Sequence, residues 1–170
     1  KYNDPTKMVF EFERESNLPV ISIVTSAFDV LIRKVEGAIQ HILKEELLMS
    51  RSKTRGLEIE FKNENDTLGN VIQSYVHNQY VRHDDDSGKG QRKQLWKGGI
   101  EVGYIGYYCP HPLDTRMIVK LTLLDEAKEI LDEDNERESY KTFMIETLTH
   151  LQQDLEKLRD EWIHFAPKDI

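Results

Sequence analysis

Cys109 and His111 are the two side chains of this sequence best suited to covalent chemistry. A thiol beside an imidazole can act as a nucleophile that is activated by a base. A structural zinc site would need several cysteine or histidine ligands, and the chain contains a single cysteine. We expect a buried thiol at the end of a strand, not a nucleophile. Catalysis by this pair stays open as an alternative, which ordinary reactivity of the thiol toward alkylating reagents would exclude.

A second chemically distinctive stretch lies between residues 82 and 97. Three consecutive aspartates at 84–86 offer the oxygen ligands that Mg²⁺ prefers, although adjacent carboxylates in a loop are commonly only solvated. The arginine and lysines around Trp96 could contact phosphate while the indole stacks on a base. We expect an exposed insertion, at about 83–99, whose Leu95 and Trp96 cover a neighbouring surface. A nucleic-acid-contacting module acting through residues 89–97 is the alternative.

Composition limits the remaining functional classes. The 170-residue chain is 38% hydrophobic and 32% charged, with a formal net charge of −8. An acidic balance argues against a free-standing nucleic-acid-binding protein, which normally has a basic face. No apolar run approaches the ~20 residues needed to cross a bilayer, so we expect no membrane association. The chain begins with lysine, which indicates a removed start or part of a longer polypeptide.

The centre of the chain changes its hydrophobic period from two to 3.6. Residues 57–61 alternate apolar and polar, which predicts a short strand. Helical spacing follows over 67–80, with Asp66 or Thr67 expected to cap the helix. Gly69 lies in the first turn of this helix, where glycine costs roughly 1 kcal/mol relative to alanine. It is either tolerated there or marks close contact with a second helix.

Further strands and helices are predicted on both sides of this segment. Alternation predicts strands over 8–13, from residue 100 onward and over 117–123. Helical stripes extend from about 20 to 48 and from 136 to 165, and the second helix would be about 40 Å long. Such a helix exceeds a small sheet, so its overhang should meet another helix. Together these elements predict a two-layer α+β fold, a mainly antiparallel sheet with long helices on one face.

Two segments resemble one protein family. Asp66-Thr-Leu-Gly-Asn-Val-Ile72 resembles the His-Thr-Leu-Gly-Asn-Leu-Ile signature of the smaller alpha-like subunit of multisubunit RNA polymerases, the archaeal L-type or eukaryotic eleventh-subunit family. The segment 104–113 is similar to the strand and turn that follow in that family. The resemblance covers about residues 56–165. It departs at Asp66, where the family usually has histidine, at Cys109, where it usually has an aliphatic residue, and at the insertion.

The opening of the chain resembles a related subunit. Residues 10–16, 18–24 and 27–31 are similar to the carboxy-terminal strand and helix of the larger alpha-like subunit, the D-type or third-subunit family. We therefore interpret 1–48 as the end of a D-type dimerisation domain, 49–55 as a linker, and 56–170 as an L-type dimerisation domain. Large nucleocytoplasmic DNA viruses fuse these two subunits in a similar way, which makes a viral source our expectation.

The resemblance implies the alpha-like dimerisation fold and a non-catalytic assembly platform of a DNA-directed RNA polymerase. Such a platform has no cofactor of its own, since catalytic magnesium and any zinc belong to other subunits or to the missing upstream part. The implied partners are the two largest subunits, the upstream D-type segment and small polymerase subunits, with DNA reached only indirectly. The implied location is intracellular: the host cytoplasm or virion for a virus, the nucleus for a eukaryote. The residues implied in dimerisation and assembly are Val24, Ala27, Leu31, Thr67, Leu68, Gly69, Asn70, Ile72, Tyr107, His111, Pro112, Tyr140, Phe143, Leu148 and Leu151.

Overall fold

Three α-helices, one short 3-10 helix and four strands make up the regular structure in the described part of the chain. In chain order they are α1 (Val20–Leu43), β1 (Met49–Arg51), β2 (Leu57–Lys62), α2 (Asp66–Tyr80), a short 3-10 helix (Lys97–Gly99), β3 (Glu101–Tyr108), β4 (Arg116–Leu124) and α3 (Arg137–Phe165). The computed structural model describes residues 9, 11, 17–44, 49–51, 56–81, 95–111, 115–125, 127, 129–131 and 137–166. The strand predicted over 8–13 lies outside these residues except at positions 9 and 11.

The four strands form one antiparallel sheet in the order β1-β2-β4-β3. Ile59 of β2 pairs with Val119 of β4, and Tyr107 of β3 pairs with Val119 from the other side. The edge strand β1 pairs Met49 with Ile59 and lies inside the stretch that we interpreted as a linker, 49–55. Three residues of this stretch therefore belong to the sheet.

The sheet has one buried face and one partly exposed face. Leu57, Ile59 and Phe61 of β2 are almost fully buried, whereas Glu58 and Glu60 between them are half-buried. The same alternation places the buried residues of β4 on the helix side. The chain is thus a mixed α+β protein whose helices cover one face of an antiparallel sheet, as the periodicity predicts.

α1 and α3 pack side by side in opposite directions. Near the start of α1, the carbonyl of Ile21 accepts a hydrogen bond from Trp162 Nε1 at 3.3 Å, close to the end of α3. Farther along α1, Asp29 pairs with Arg159 at 3.1 Å. The expected meeting of the long last helix with another helix is confirmed. α2 is joined to α3 by Tyr75, whose hydroxyl donates to Asp154 at 2.9 Å.

α1 is shorter than the sequence pattern predicts. Its N-cap is Pro19, with no side-chain cap. The Pro19 carbonyl accepts hydrogen bonds from the Ser22 and Ile23 N–H groups, at 3.0 and 3.2 Å. The helix ends at Leu43, where the Lys44 N–H donates to the Gln40 carbonyl at 3.1 Å.

No helix in the described part of the chain is both long enough and apolar enough to span a bilayer.

Candidate functional site

The first turn of α2 lies against the end of β3. Gly69 is buried there, and a Cβ atom built on it would overlap the ring of Tyr107. The close neighbour of this glycine is therefore an aromatic side chain of the same chain. Neither alternative given above, a merely tolerated glycine or contact with a second helix, describes this position. Two segments separated by more than thirty residues, 66–72 and 104–111, meet at this point.

A thiol–carboxylate contact extends the meeting of these two segments. Cys109 Sγ, just after β3, donates a hydrogen bond to Asp66 Oδ1 at 3.6 Å, at the first residue of α2. We call the group formed by Asp66, Gly69, Tyr107 and Cys109 the motif junction. The expectation that Asp66 or Thr67 caps the helix is wrong, because the cap is Asn65, whose Oδ1 accepts from the Thr67 N–H at 3.1 Å.

The electrostatics of the motif junction disfavour a reactive thiol. Desolvation raises the pKa of the Cys109 thiol, and the charge of Asp66 and the hydrogen bond to it raise the pKa further. A thiol whose pKa lies above its ordinary value is protonated at neutral pH, and the thiolate is the nucleophilic form. The arrangement therefore favours a structural role for Cys109. His111 is exposed near the end of the same segment.

The residues implied at the start of α2 fall into two groups. Leu68 and Ile72 are buried under the sheet, at 0% and 1% exposure. Thr67 and Asn70 are exposed, and Asn70 accepts a hydrogen bond from the Ser74 hydroxyl at 3.3 Å. Only the exposed group can contact a partner directly, whereas the buried pair positions it. Pro112, also implied in assembly, lies outside the described residues.

The residues implied in α3 belong to the interior of this chain. Tyr140, Phe143 and Leu148 are fully buried, and Leu151 is 4% exposed. The Tyr140 hydroxyl accepts from the Leu123 N–H at 3.2 Å, which ties α3 to β4. These four residues stabilise the helix layer on the sheet.

The residues implied in α1 lie in the first half of that helix, which is joined to α3 through Ile21 and Asp29. Val24 and Leu31 are half-buried and Ala27 is exposed. We call residues 20–31 of α1 with residues 155–165 of α3 the helical arm. Several large apolar side chains remain exposed on the arm or just before it: Leu18, Ile23, Val30, Leu158, Ile163 and Phe165.

The end of the insertion is fastened to α3. The ring of Phe143 has two edge-on neighbours, Tyr80 at 5.2 Å and Trp96 at 5.5 Å between centroids. Trp96 Nε1 donates to Glu146 at 2.9 Å, and Lys97 forms an ion pair with the same carboxylate. Trp96 covers the neighbouring surface, as expected, and its indole packs inside the chain. Leu95, expected to cover the surface with it, is instead 51% exposed. Glu146 was not identified from the sequence, because nothing in a solvated helix face distinguishes one glutamate from the next.

Hydrogen bonds from Lys97 and Trp96 lower the pKa of Glu146 below its ordinary value.

No group of three or more histidine, cysteine, aspartate or glutamate side chains suited to a metal ion occurs among the residues described. The aspartates at 84–86 lie outside them.

No protein-family model matches the sequence, and no curated protein matches it at a significant level. The function is therefore inferred from the residues and from their arrangement in the fold.

Proposed function

We propose that the chain is an alpha-like assembly platform of a DNA-directed RNA polymerase. In this proposal residues 1–48 are the end of a D-type unit and residues 56–170 are an L-type unit. The observation that carries the proposal is the motif junction. The two segments that resemble the family are separated by more than thirty residues, and they pack on each other through Gly69 and Tyr107. This contact supports the proposal that they belong to one family motif.

The packing of α1 supplies a second line of support. An L-type unit alone leaves a helical face uncovered, and the proposal requires a D-type helix to cover it. α1 occupies such a position along α3, and its Val35 and Ile42 are buried in the same core as the sheet residues. Burying a large apolar side chain contributes roughly 1.5–3 kcal/mol. The two parts therefore stabilise each other, as the proposed internal heterodimer requires.

The proposal gives the chain a binding role and leaves the chemistry to its partners. The two largest subunits would carry the catalytic magnesium and bind DNA, and this chain would hold no cofactor. The upstream D-type segment and small polymerase subunits complete the set of partners. The alpha-like dimerisation fold and the location of the polymerase, in the host cytoplasm or virion or in a nucleus, are parts of the same proposal.

The exposed side of α2 next to the motif junction offers a test with a matched control. Asn70 and Asn78 are both exposed asparagines of α2, and only Asn70 adjoins Gly69. We expect Asn70→Arg, in a tagged chain expressed in its own source, to reduce co-purification of the two largest subunits at least about tenfold, since a buried interface charge costs several kcal/mol. Asn78→Arg should co-purify them as the wild type does.

The readout is quantitative mass spectrometry of the captured complex, with circular dichroism of both variants to show that each is folded. If Asn70→Arg recovers the two largest subunits at the wild-type level, the surface next to the motif junction does not take part in assembly. If the wild-type sample contains no large polymerase subunit, the proposal is wrong.

A nucleic-acid-binding role for 89–97 is less well supported. Trp96, the residue expected to stack on a base, packs on Phe143 and donates its N–H to Glu146. Lys97 is paired with the same carboxylate. The indole would have to leave both contacts before it could stack on a nucleotide.

A further inference from the structure

A groove lies between α1 and the end of β2. Its volume is about 250 Å³, and apolar side chains of both elements, Val30, Ala38 and Phe61, contribute to its lining. Phe61 is 3% exposed, so its ring lies at the base of the groove and not at its surface. The groove is thus apolar at its base and large enough for a side chain of another molecule.

Positive charge surrounds this groove. Arg33 and Lys62 line it and are exposed. Neither forms an ion pair with any residue in the part of the chain that the structure describes. The carboxylate that also lines the groove, Glu64, is already neutralised by Lys34 at 2.7 Å. Two cations that have no ion-pair partner among the described residues, on a chain of net charge −8, form a local surface complementary to negative charge.

Gly37 leaves an opening in the same wall. It lies in the middle of α1, where glycine is the poorest helix former after proline. A Cβ atom built on Gly37 would meet no atom within 4 Å. No contact among the described residues therefore requires a glycine here, in contrast to Gly69. The missing side chain leaves space on the groove wall beside Arg33.

The lining selects among anionic ligands. A phosphate chain and an acidic peptide could both pair with Arg33 and Lys62, so the apolar base of the groove distinguishes them. Val30, Ala38 and Phe61 offer surface suited to an apolar side chain, and the imidazole of His41 also lines the groove. An acidic peptide fits better, because an apolar side chain can enter beside Gly37 while its carboxylates pair with the two cations.

We infer that this groove binds an acidic peptide segment of a partner protein, with one apolar side chain placed against Gly37 and carboxylates on Arg33 and Lys62. The inference goes beyond the proposed platform role and does not depend on it, since it follows from the charge and shape of the groove alone. A partner that carries alternating acidic and aliphatic residues has the required chemistry.

Fluorescence polarisation with the full chain tests the inference. The probe is a short labelled peptide of alternating glutamate and leucine, with a lysine–leucine peptide and oligothymidylate as comparison ligands. Gly37→Leu fills the opening, and Arg33→Glu reverses one charge. Lys157→Glu is the matched control, because Lys157 is exposed on α3 and does not line the groove.

The acidic peptide should bind the wild type in a salt-dependent manner, and Gly37→Leu and Arg33→Glu should each weaken binding at least about tenfold. Lys157→Glu should bind as the wild type does. Gly37→Leu should melt no lower than the wild type, because it meets no neighbour and gains helix propensity, so that lost binding cannot be ascribed to misfolding. Wild-type affinity in Gly37→Leu, binding of oligothymidylate in place of the peptide, or no binding of the peptide to the wild type would overturn the inference.

Discussion

A glycine is required at position 69, in the first turn of α2, because the Tyr107 ring lies against it. From the sequence, close approach of another group is one explanation for a glycine in a helix. The sequence cannot show which group approaches, because Tyr107 is distant in the sequence and the contact depends on how α2 lies on β3. Gly37 shows the other case, a helix glycine with no close neighbour.

Gly69→Leu should destabilise the chain. The added side chain must displace the Tyr107 ring, and overpacking of this kind costs typically 1–3 kcal/mol. Urea denaturation followed by circular dichroism measures the loss. Tyr107→Ala in the same chain should recover part of it, since the two positions are in contact and their effects are not additive. A Gly69→Leu chain as stable as the wild type would show that the ring moves away freely.

The Cys109 thiol should react slowly with iodoacetamide. Its pKa is raised by desolvation and by Asp66, so the thiolate fraction near neutral pH is below that of an ordinary cysteine. Asp66→Asn removes the negative charge and should shift the alkylation profile to lower pH. Alkylation of the unfolded chain provides the reference rate. Faster alkylation of the native chain than of the unfolded chain would restore the nucleophile alternative.

The helix cap shows where single-residue prediction fails. Asn65, Asp66 and Thr67 are consecutive and all can cap a helix, so the sequence cannot choose among them. The backbone decides, because Asn65 has the extended conformation of a cap, with φ −140° and ψ −172°. Asp66 does not cap the helix, and its carboxylate accepts a hydrogen bond from the Cys109 thiol.

At the scale of elements, the hydrophobic period predicted most of the regular structure. β2, β4 and the start of β3 follow alternation, while α2 and α3 follow 3.6 spacing. β1 was missed because its three residues, Met49–Arg51, have no apolar alternation, and their pairing with β2 is a backbone property. The order β1-β2-β4-β3 was also not predicted, since strand neighbours depend on which surfaces the helices cover.

The contact of the insertion with α3 should weaken in acid. The pKa of Glu146 is lowered in the folded chain, chiefly by Lys97 and then by Trp96. A lowered pKa contributes stability above the ordinary value of a glutamate, about 4.3, and this stability is lost as the pH falls through the folded value. Glu146→Gln should therefore lose less stability than the wild type between pH 7 and about pH 3.

Trp96 fluorescence during urea denaturation measures this difference, in a Trp162→Phe background that leaves one tryptophan. Glu161→Gln is the control, because Glu161 is exposed on the same helix. Equal acid sensitivity of Glu146→Gln and the wild type would show that the carboxylate does not fasten the insertion.

At the scale of the whole molecule, one hydrophobic core joins the two parts that we distinguished in the sequence. It contains Val35 and Ile42 of α1 together with residues of α2, α3 and the sheet. The mixed α+β class follows from the sequence, but the shared core does not, because apolar stripes show that a face is buried without showing against what. The boundary at 49–55 therefore marks the proposed origin of the two parts from different subunits. It does not divide the chain into parts that fold separately.

Val35→Ala should destabilise the entire chain by roughly 2 kcal/mol, from two lost methyl groups and the space that they leave. Val30→Ala is the matched control, since Val30 lies on the same helix and is 46% exposed, against 0% for Val35. Its effect should stay within about 0.5 kcal/mol. Circular dichroism and Trp96 fluorescence should give the same shifted midpoint for Val35→Ala. Separate midpoints would mean that α1 unfolds independently of the sheet.

Native mass spectrometry of the protein purified gently from its own source tests the platform proposal most directly. The proposal predicts a complex that contains the two largest polymerase subunits and a D-type upstream segment, covalently joined or separate. A monodisperse species with the mass of this chain alone would contradict it. The exposed apolar side chains of the helical arm, such as Phe165 at 77% exposure, would then need another partner.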